Sequence, residues 1–125
     1  MRVAFAGLLL FPTAAAVACG YCIEDRVAGA YDHSVIVRSL DRRHEVAFFA
    51  VEGTFMASPR VSRDIQSALE STRGVDRGTA RVSPDGTSLS FAYDPGRRRL
   101  GPITRAVEKS LAPKALSISL LRVLK

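Results

Sequence analysis

Residues 46–51 read Val-Ala-Phe-Phe-Ala-Val, a nearly continuous β-prone run that predicts a buried strand. Working towards the C-terminus, 53–59 is a loop, and Ser58-Pro59 has the form of a helix cap followed by proline in the first turn. Val61, Ile65, Ala68 and Leu69 then recur at i, i+4, i+7 and i+8, one apolar stripe of a helix that Gly74 closes. Residues 79–83 (TARVS) alternate into a second strand. Pro84-Asp85-Gly86-Thr87 is a turn, because proline fixes one dihedral and glycine permits a positive one. Leu89, Phe91 and Tyr93 alternate with Ser88, Ser90 and Ala92, which predicts a third strand with one buried face. Asp94-Pro95-Gly96 ends it. A second helix starts at Gly101-Pro102, carries Ile103, Ala106, Val107 and Leu111 on one side, and stops at Pro113. Leu116, Ile118 and Leu120 alternate in a last strand.

The order strand–helix–strand–strand–helix–strand is an α+β plan, the ferredoxin-like βαββαβ sandwich: a four-stranded antiparallel sheet with two helices on one face. Its expected core is Val46, Phe48 or Phe49, Val51, Val61, Ile65, Leu69, Val82, Leu89, Phe91, Ile103, Val107, Leu111 and Ile118.

Several pieces of this unit are similar to heavy-metal-associated domains, the modules of copper chaperones, metal-transporting ATPases and mercury-binding periplasmic proteins. They are Val51-Glu52-Gly53, residues 65–69 (IQSAL), Gly74-Val75, residues 80–82 (ARV), 91–95 (FAYDP) and 103–108 (ITRAVE). The resemblance implies a soft metal ion, Cu(I), Zn(II) or Hg(II), and a protein partner such as a metal transporter or acceptor. Family members hold the metal on Gly-Met-x-Cys-x-x-Cys between the first strand and helix. Here that loop is Gly53-Thr54-Phe55-Met56-Ala57-Ser58-Pro59. Counting forward from Gly53 puts Met56 and Pro59 at the cysteine positions; counting back from Ile65 puts Ser58 and Val61 there. Neither register supplies a thiolate. Met56 keeps one soft thioether in the right loop.

The only two cysteines lie upstream, in Cys19-Gly20-Tyr21-Cys22. Two thiols separated by two residues pinch a metal ion or form a reversible disulfide. Cys19, Cys22 and Met56 are therefore the candidate metal ligands. Residues 19–44 form a helical leader in which Ile23, Val27, Ala30, Tyr31 and Val35 fall at helical spacing, with Glu24 and Asp25 in its first turn and 41–44 ending it. On one straight helix Cys22 and His33 stand about 16 Å apart, too far to share an ion. His44 is unplaced.

Residues 1–18 (MRVAFAGLLLFPTAAAVA) carry an early arginine, an apolar stretch and an Ala-x-Ala end, the three-part pattern of a signal peptide whose cleavage leaves Cys19 first. The apolar run is shorter than the ~20 residues a spanning helix needs. The expected location is exported and periplasmic, with lipid anchoring only if Cys19 is modified. The chain thus divides into a signal peptide (1–18), a leader with the cysteine pair (19–44) and a heavy-metal-associated-like domain (45–125). Its 125 residues carry 18 Lys+Arg against 12 Asp+Glu. The clusters Arg42-Arg43 and Arg97-Arg98-Arg99 have no interleaved aromatics of the kind that stack nucleic-acid bases, so no nucleic-acid partner is expected; a patch steering acidic partners fits better. No Ser/His/Asp pattern, nucleophile elbow or phosphate loop appears, and Glu45 and Glu52, seven apart on one strand, face opposite ways. The expectation is a non-catalytic soft-metal-binding or delivery protein. The alternatives are a periplasmic thiol–disulfide redox protein and a metal-free interaction module.

Overall fold

A computed structural model describes residues 22–54 and 56–125. Residues 1–18 and Cys19 lie outside the described residues. The βαββαβ unit forms as expected. Strand β1 (Glu45–Gly53) leads to helix α3 (Pro59–Glu70), preceded in the chain by the leader helices α1 (Ile23–Gly29) and α2 (His33–Asp41). Strands β2 (Arg81–Val82) and β3 (Ser88–Tyr93), helix α4 (Leu100–Leu111), a 3-10 turn (Ala112–Lys114) and strand β4 (Leu116–Leu124) follow. All pairings are antiparallel, in the order β2-β3-β1-β4.

The odd-numbered residues of β1, Ala47, Phe49 and Val51, face α3 and α4 and join Ile65, Leu69, Leu89, Phe91, Ile103, Val107 and Leu111 in one buried cluster. Phe49 stacks on Phe91 with centroids 5.6 Å apart, an aromatic contact across the β1–β3 pair. Val61 and Val82 sit at the margin of this core, partly buried. Strand β2 is shorter than the expected 79–83 because side chains intercept the ladder at both ends. Thr79 Oγ1 accepts from the Ala92 amide (3.1 Å) where a strand carbonyl would otherwise do so. Ser83 Oγ accepts from the amides of Thr87 and Ser88, both at 3.0 Å.

Three expectations are corrected. The leader is not one helix: it breaks at Ala30–Asp32, because Asp32 Oδ1 accepts from the amides of Ser34 (3.0 Å) and Val35 (3.2 Å) and so starts α2 afresh. Ile23 and Tyr31, placed on the apolar stripe by a straight helix, are half exposed.

Second, β3 is buried on both faces. Val27, Ala30 and Ile36 of the leader pack against Val46, Phe48 and Ala92 in a second cluster, so the leader forms a third layer on the sheet face away from α3 and α4. Ser88, Ser90 and Ala92 are small where the leader approaches most closely. A Cβ on Gly29 would lie 3.1 Å from both Ser83 Cβ and Ser88 Oγ. Ser90 Oγ donates to the Ala30 carbonyl at 2.6 Å, giving that helix-end oxygen a partner.

Third, β4 runs past Leu120, with Leu121 as an extra residue where Phe48 pairs with Arg122 and Phe49 with Leu120. This bulge turns Leu121 and Leu124 toward the leader, while Leu120 is left 53% exposed.

Asp32 also accepts from Arg81 Nε at 2.9 Å, tying leader to sheet. Its hydrogen bonds, first from Ser34 and then from Arg81, hold its carboxyl down at about 2. Folded Asp32 thus binds its proton more weakly than unfolded Asp32. Its stabilising contribution is complete above the ordinary aspartate range near 4 and disappears as pH falls through about 2. Unfolding free energy should therefore rise with pH across that window. Asp32→Asn, which keeps a capping oxygen and removes the charge, should flatten the rise when both proteins are denatured by urea at successive pH values.

Candidate metal-binding sites

The loop after β1 forms a helix start at the positions where the resemblance would put metal ligands. Ser58 Oγ accepts from the Val61 amide at 3.2 Å and caps α3. Pro59 fills the first helical position, where an amide proton would have no intrahelical acceptor. Val61 packs at the margin of the main core. Of the four positions that the two alignments give to the family's cysteine pair, Ser58, Pro59 and Val61 are occupied with starting or burying α3, and Met56 alone is left. A bound soft metal does not fit a donor set of one thioether. Met56 itself is 87% exposed, so its side chain serves no packing role.

Cys22 is the described half of the cysteine pair. It is exposed, not disulfide-bonded among the described residues, and occupies the N-cap of α1, donating from Sγ to Asp25 Oδ2 at 3.0 Å. The two ion pairs that fix α1 to the sheet lie close by. Glu24 pairs with Arg122 of β4, whose guanidinium holds the Glu24 carboxyl below its ordinary range. Arg26 lies 3.9 Å from Glu52 of β1. The thiol is therefore carried on a helix anchored to the sheet, not on a dangling arm.

The histidines do not join it. His33 Nδ1 lies 3.2 Å from the Tyr31 hydroxyl. His44, just before β1, is set between two acids: Nδ1 is 2.5 Å from Asp76 Oδ2 and Nε2 is 3.7 Å from Asp94 Oδ2. Among the described residues no group of three or more His, Cys, Asp or Glu side chains could hold a metal ion. Glu45 and Glu52 do face opposite ways: Glu45 accepts from the Tyr93 hydroxyl at 2.5 Å, and Glu52 accepts from Ser119 on the leader side. Burial first, and the Glu45 carboxylate second, raise the Tyr93 phenol far above its ordinary range, so it stays a donor.

Sequence reading singled out the paired arginines 42–43 and 97–99 but passed over Arg38, Arg73 and Arg77. The fold brings these together around the loop between α3 and β2. The signal was present as Arg73-Gly74-Val75-Asp76-Arg77-Gly78, two arginines in a glycine-bounded loop.

No protein-family model matches the sequence, and no curated protein does. Among solved structures, a copper-binding domain from the P-type ATPase HMA7 superposes with a TM-score of 0.50 at 18% identity, over 65% of this chain and 99% of that one. The N-terminal domain of a potential copper-translocating P-type ATPase from Bacillus subtilis, in its Cu(I)-loaded state, gives 0.49 at 21%, over 66% and 92%. The CopZ metallochaperone gives 0.44 at 22%, over 59% and 98%. With the strand order and the two-helix layer already described, the first of these matches shows that the chain has the fold of a heavy-metal-associated domain.

Proposed function

We propose that this chain is an exported, non-catalytic carrier of a soft metal ion, Cu(I) in the first instance, held by Cys19 and Cys22 instead of by the loop after β1. The observation that supports it best is the exposed Cys22 thiol at the start of an anchored helix, three residues from the only other cysteine. Thiolates favour monovalent copper over harder ions, and two of them satisfy its low coordination demand. Met56 supplies a third, weaker soft donor, because its thioether is left exposed among the described residues. Export and cleavage before Cys19 place the pair at the front of the mature chain, where a transporter or acceptor protein exchanges ligands with it.

Reduced protein should bind one Cu(I) per chain in anaerobic competition with a chromogenic chelator. Changing Cys19 and Cys22 together to serine should abolish binding, and Met56→Ala should weaken it without abolishing it. Metal retained by the double-serine variant, or no metal bound by the wild type, overturns the reading. The mass of the exported product tests the processing: a chain beginning elsewhere than Cys19 removes the pair from its proposed place.

A further inference from the structure

At the opposite end of β1 from the 53–59 loop, about 30 Å away at ~3.3 Å per strand residue, charge is sorted in a way the metal reading does not use. The two acids there are turned inward. Asp76 is occupied by His44 at 2.5 Å. Asp94 faces His44 at 3.7 Å and Arg97 at 3.8 Å, and accepts from the Gly96 amide at 2.9 Å. The arginines around them are left facing solvent. One cavity of about 350 Å³, between α2 and the loop before β2, is lined by Arg38, Arg42 and Arg77 against the single carboxylate of Asp76. A second of about 350 Å³ adjoins it across Asp76-Arg77 and is lined by Arg73, Arg77, Arg97 and Arg98 against the carboxylates of Asp76 and Asp94. Among the described residues Arg42, Arg73, Arg77 and Arg98 have no carboxylate partner.

The ground between the cavities is held in place. The Asp76 amide donates to the Ala92 carbonyl at 2.8 Å. Thr79 Oγ1 donates to the Asp76 carbonyl at 2.7 Å. Gly74, at φ 102°, lets the loop lie against Ile103 and Arg98, where a Cβ would come within 2.9 Å of both side chains. The guanidiniums therefore stand on a pre-set backbone, and the ordering that remains when they close on an anion is that of their own side chains.

We infer that this surface binds a small multivalent phosphate-bearing anion. Guanidinium forks pair bidentately with carboxylates and phosphates alike. A cavity lined by three guanidiniums calls for more oxygens and more charge than one carboxylate offers, and a chain of two or three phosphates can span the Asp76-Arg77 ridge between the cavities. The phosphates can belong to a soluble ion or to a lipid headgroup.

Sodium tripolyphosphate titrated calorimetrically into the full chain is the direct test. Binding is expected, and Arg42→Gln with Arg77→Gln should weaken it at least about tenfold, since each lost charge-assisted bond counts for more than a neutral one. Neither side chain makes a hydrogen bond among the described residues, so the variant should keep its unfolding midpoint; Arg73→Gln with Arg98→Gln provides a second, independent pair. Arg60→Gln on α3 should leave the affinity unchanged. Equal weakening by Arg60→Gln, or no weakening by either pair, overturns the site in favour of general charge attraction. Cardiolipin vesicles, whose headgroup carries two phosphates, separate the sources. Co-sedimentation displaced by tripolyphosphate supports the site and identifies a headgroup as ligand, and tripolyphosphate binding without co-sedimentation supports it with a soluble one. Co-sedimentation without tripolyphosphate binding overturns it.

Discussion

Replacing Phe48 by alanine is expected to lower the unfolding free energy by about 3–5 kcal/mol, read from urea denaturation with the slope unchanged. Phe48 is 1% exposed, yet it points away from the main core, and what covers it is the leader. In a two-layer sandwich with an open sheet face this residue would stand in water, and its truncation would cost little. Here the lost ring leaves a cavity bounded by Val27, Ala30 and Ile36 on one side and Val46 and Ala92 on the other. Against a total stability of about 5–15 kcal/mol for an ordinary domain, that is a large share. Ile36→Ala on α2 should cost about 2–5 kcal/mol by the same mechanism. Because both residues line one cluster, the double variant should depart from additivity by about 0.5 kcal/mol or more. A cost below about 0.5 kcal/mol for Phe48→Ala, the range of an ordinary surface change, would mean that the leader does not stay seated on the sheet.

The same residue shows how far the sequence could be read. The run 46–51 announced a strand buried on both sides, because successive side chains point to opposite faces and none of the six is polar. Two helices on one face could bury only Ala47, Phe49 and Val51. Val46 and Phe48 required another cover, and the leader's own apolar stripe was the available one. What hid this was β3. Its alternate residues are Ser88, Ser90 and Ala92, which look like a solvated face but are small so that Gly29 and Ala30 can come close. Small polar residues give the same pattern in a sequence whether they face water or a tightly packed helix. Asp32 hid the leader's break for a related reason: a capping aspartate and a solvated one in mid-helix differ only in what their oxygens accept. The elements of the sandwich were legible because each rests on local periodicity and local turn chemistry. His44 was not, because its partners Asp76 and Asp94 lie 32 and 50 positions away and no local pattern links them. The arginine surface was hidden likewise: α2, the 73–78 loop and the 94–98 turn meet only after folding.

Gly53→Ala is expected to destabilise the protein by about 3 kcal/mol or more, whereas Gly78→Ala should cost only about 1 kcal/mol. Both glycines have positive φ, 144° and 78°. A Cβ at Gly78 meets nothing within 4 Å, so its alanine bears backbone strain alone. A Cβ at Gly53 would sit 2.4 Å from the backbone carbonyl oxygen of Ala115, closer than real contacts allow. That oxygen belongs to the residue just before β4 and cannot swing aside as a flexible side chain would. Relief requires displacing the β1–β4 pairing that begins at Gly53 and Leu116. Ala115 is itself in the left-handed region at φ 56°, so Ala115→Gly should ease strain of its own. It should not rescue Gly53→Ala, because the clash is with the main chain. The comparison also separates two reasons for a glycine at this place. If Gly53 served chiefly to shape a metal loop, its alanine variant would change Cu(I) affinity and leave stability nearly intact. A large loss of stability, with Cu(I) still bound by the fraction that remains folded, is the result expected when the glycine is required because two strands meet there.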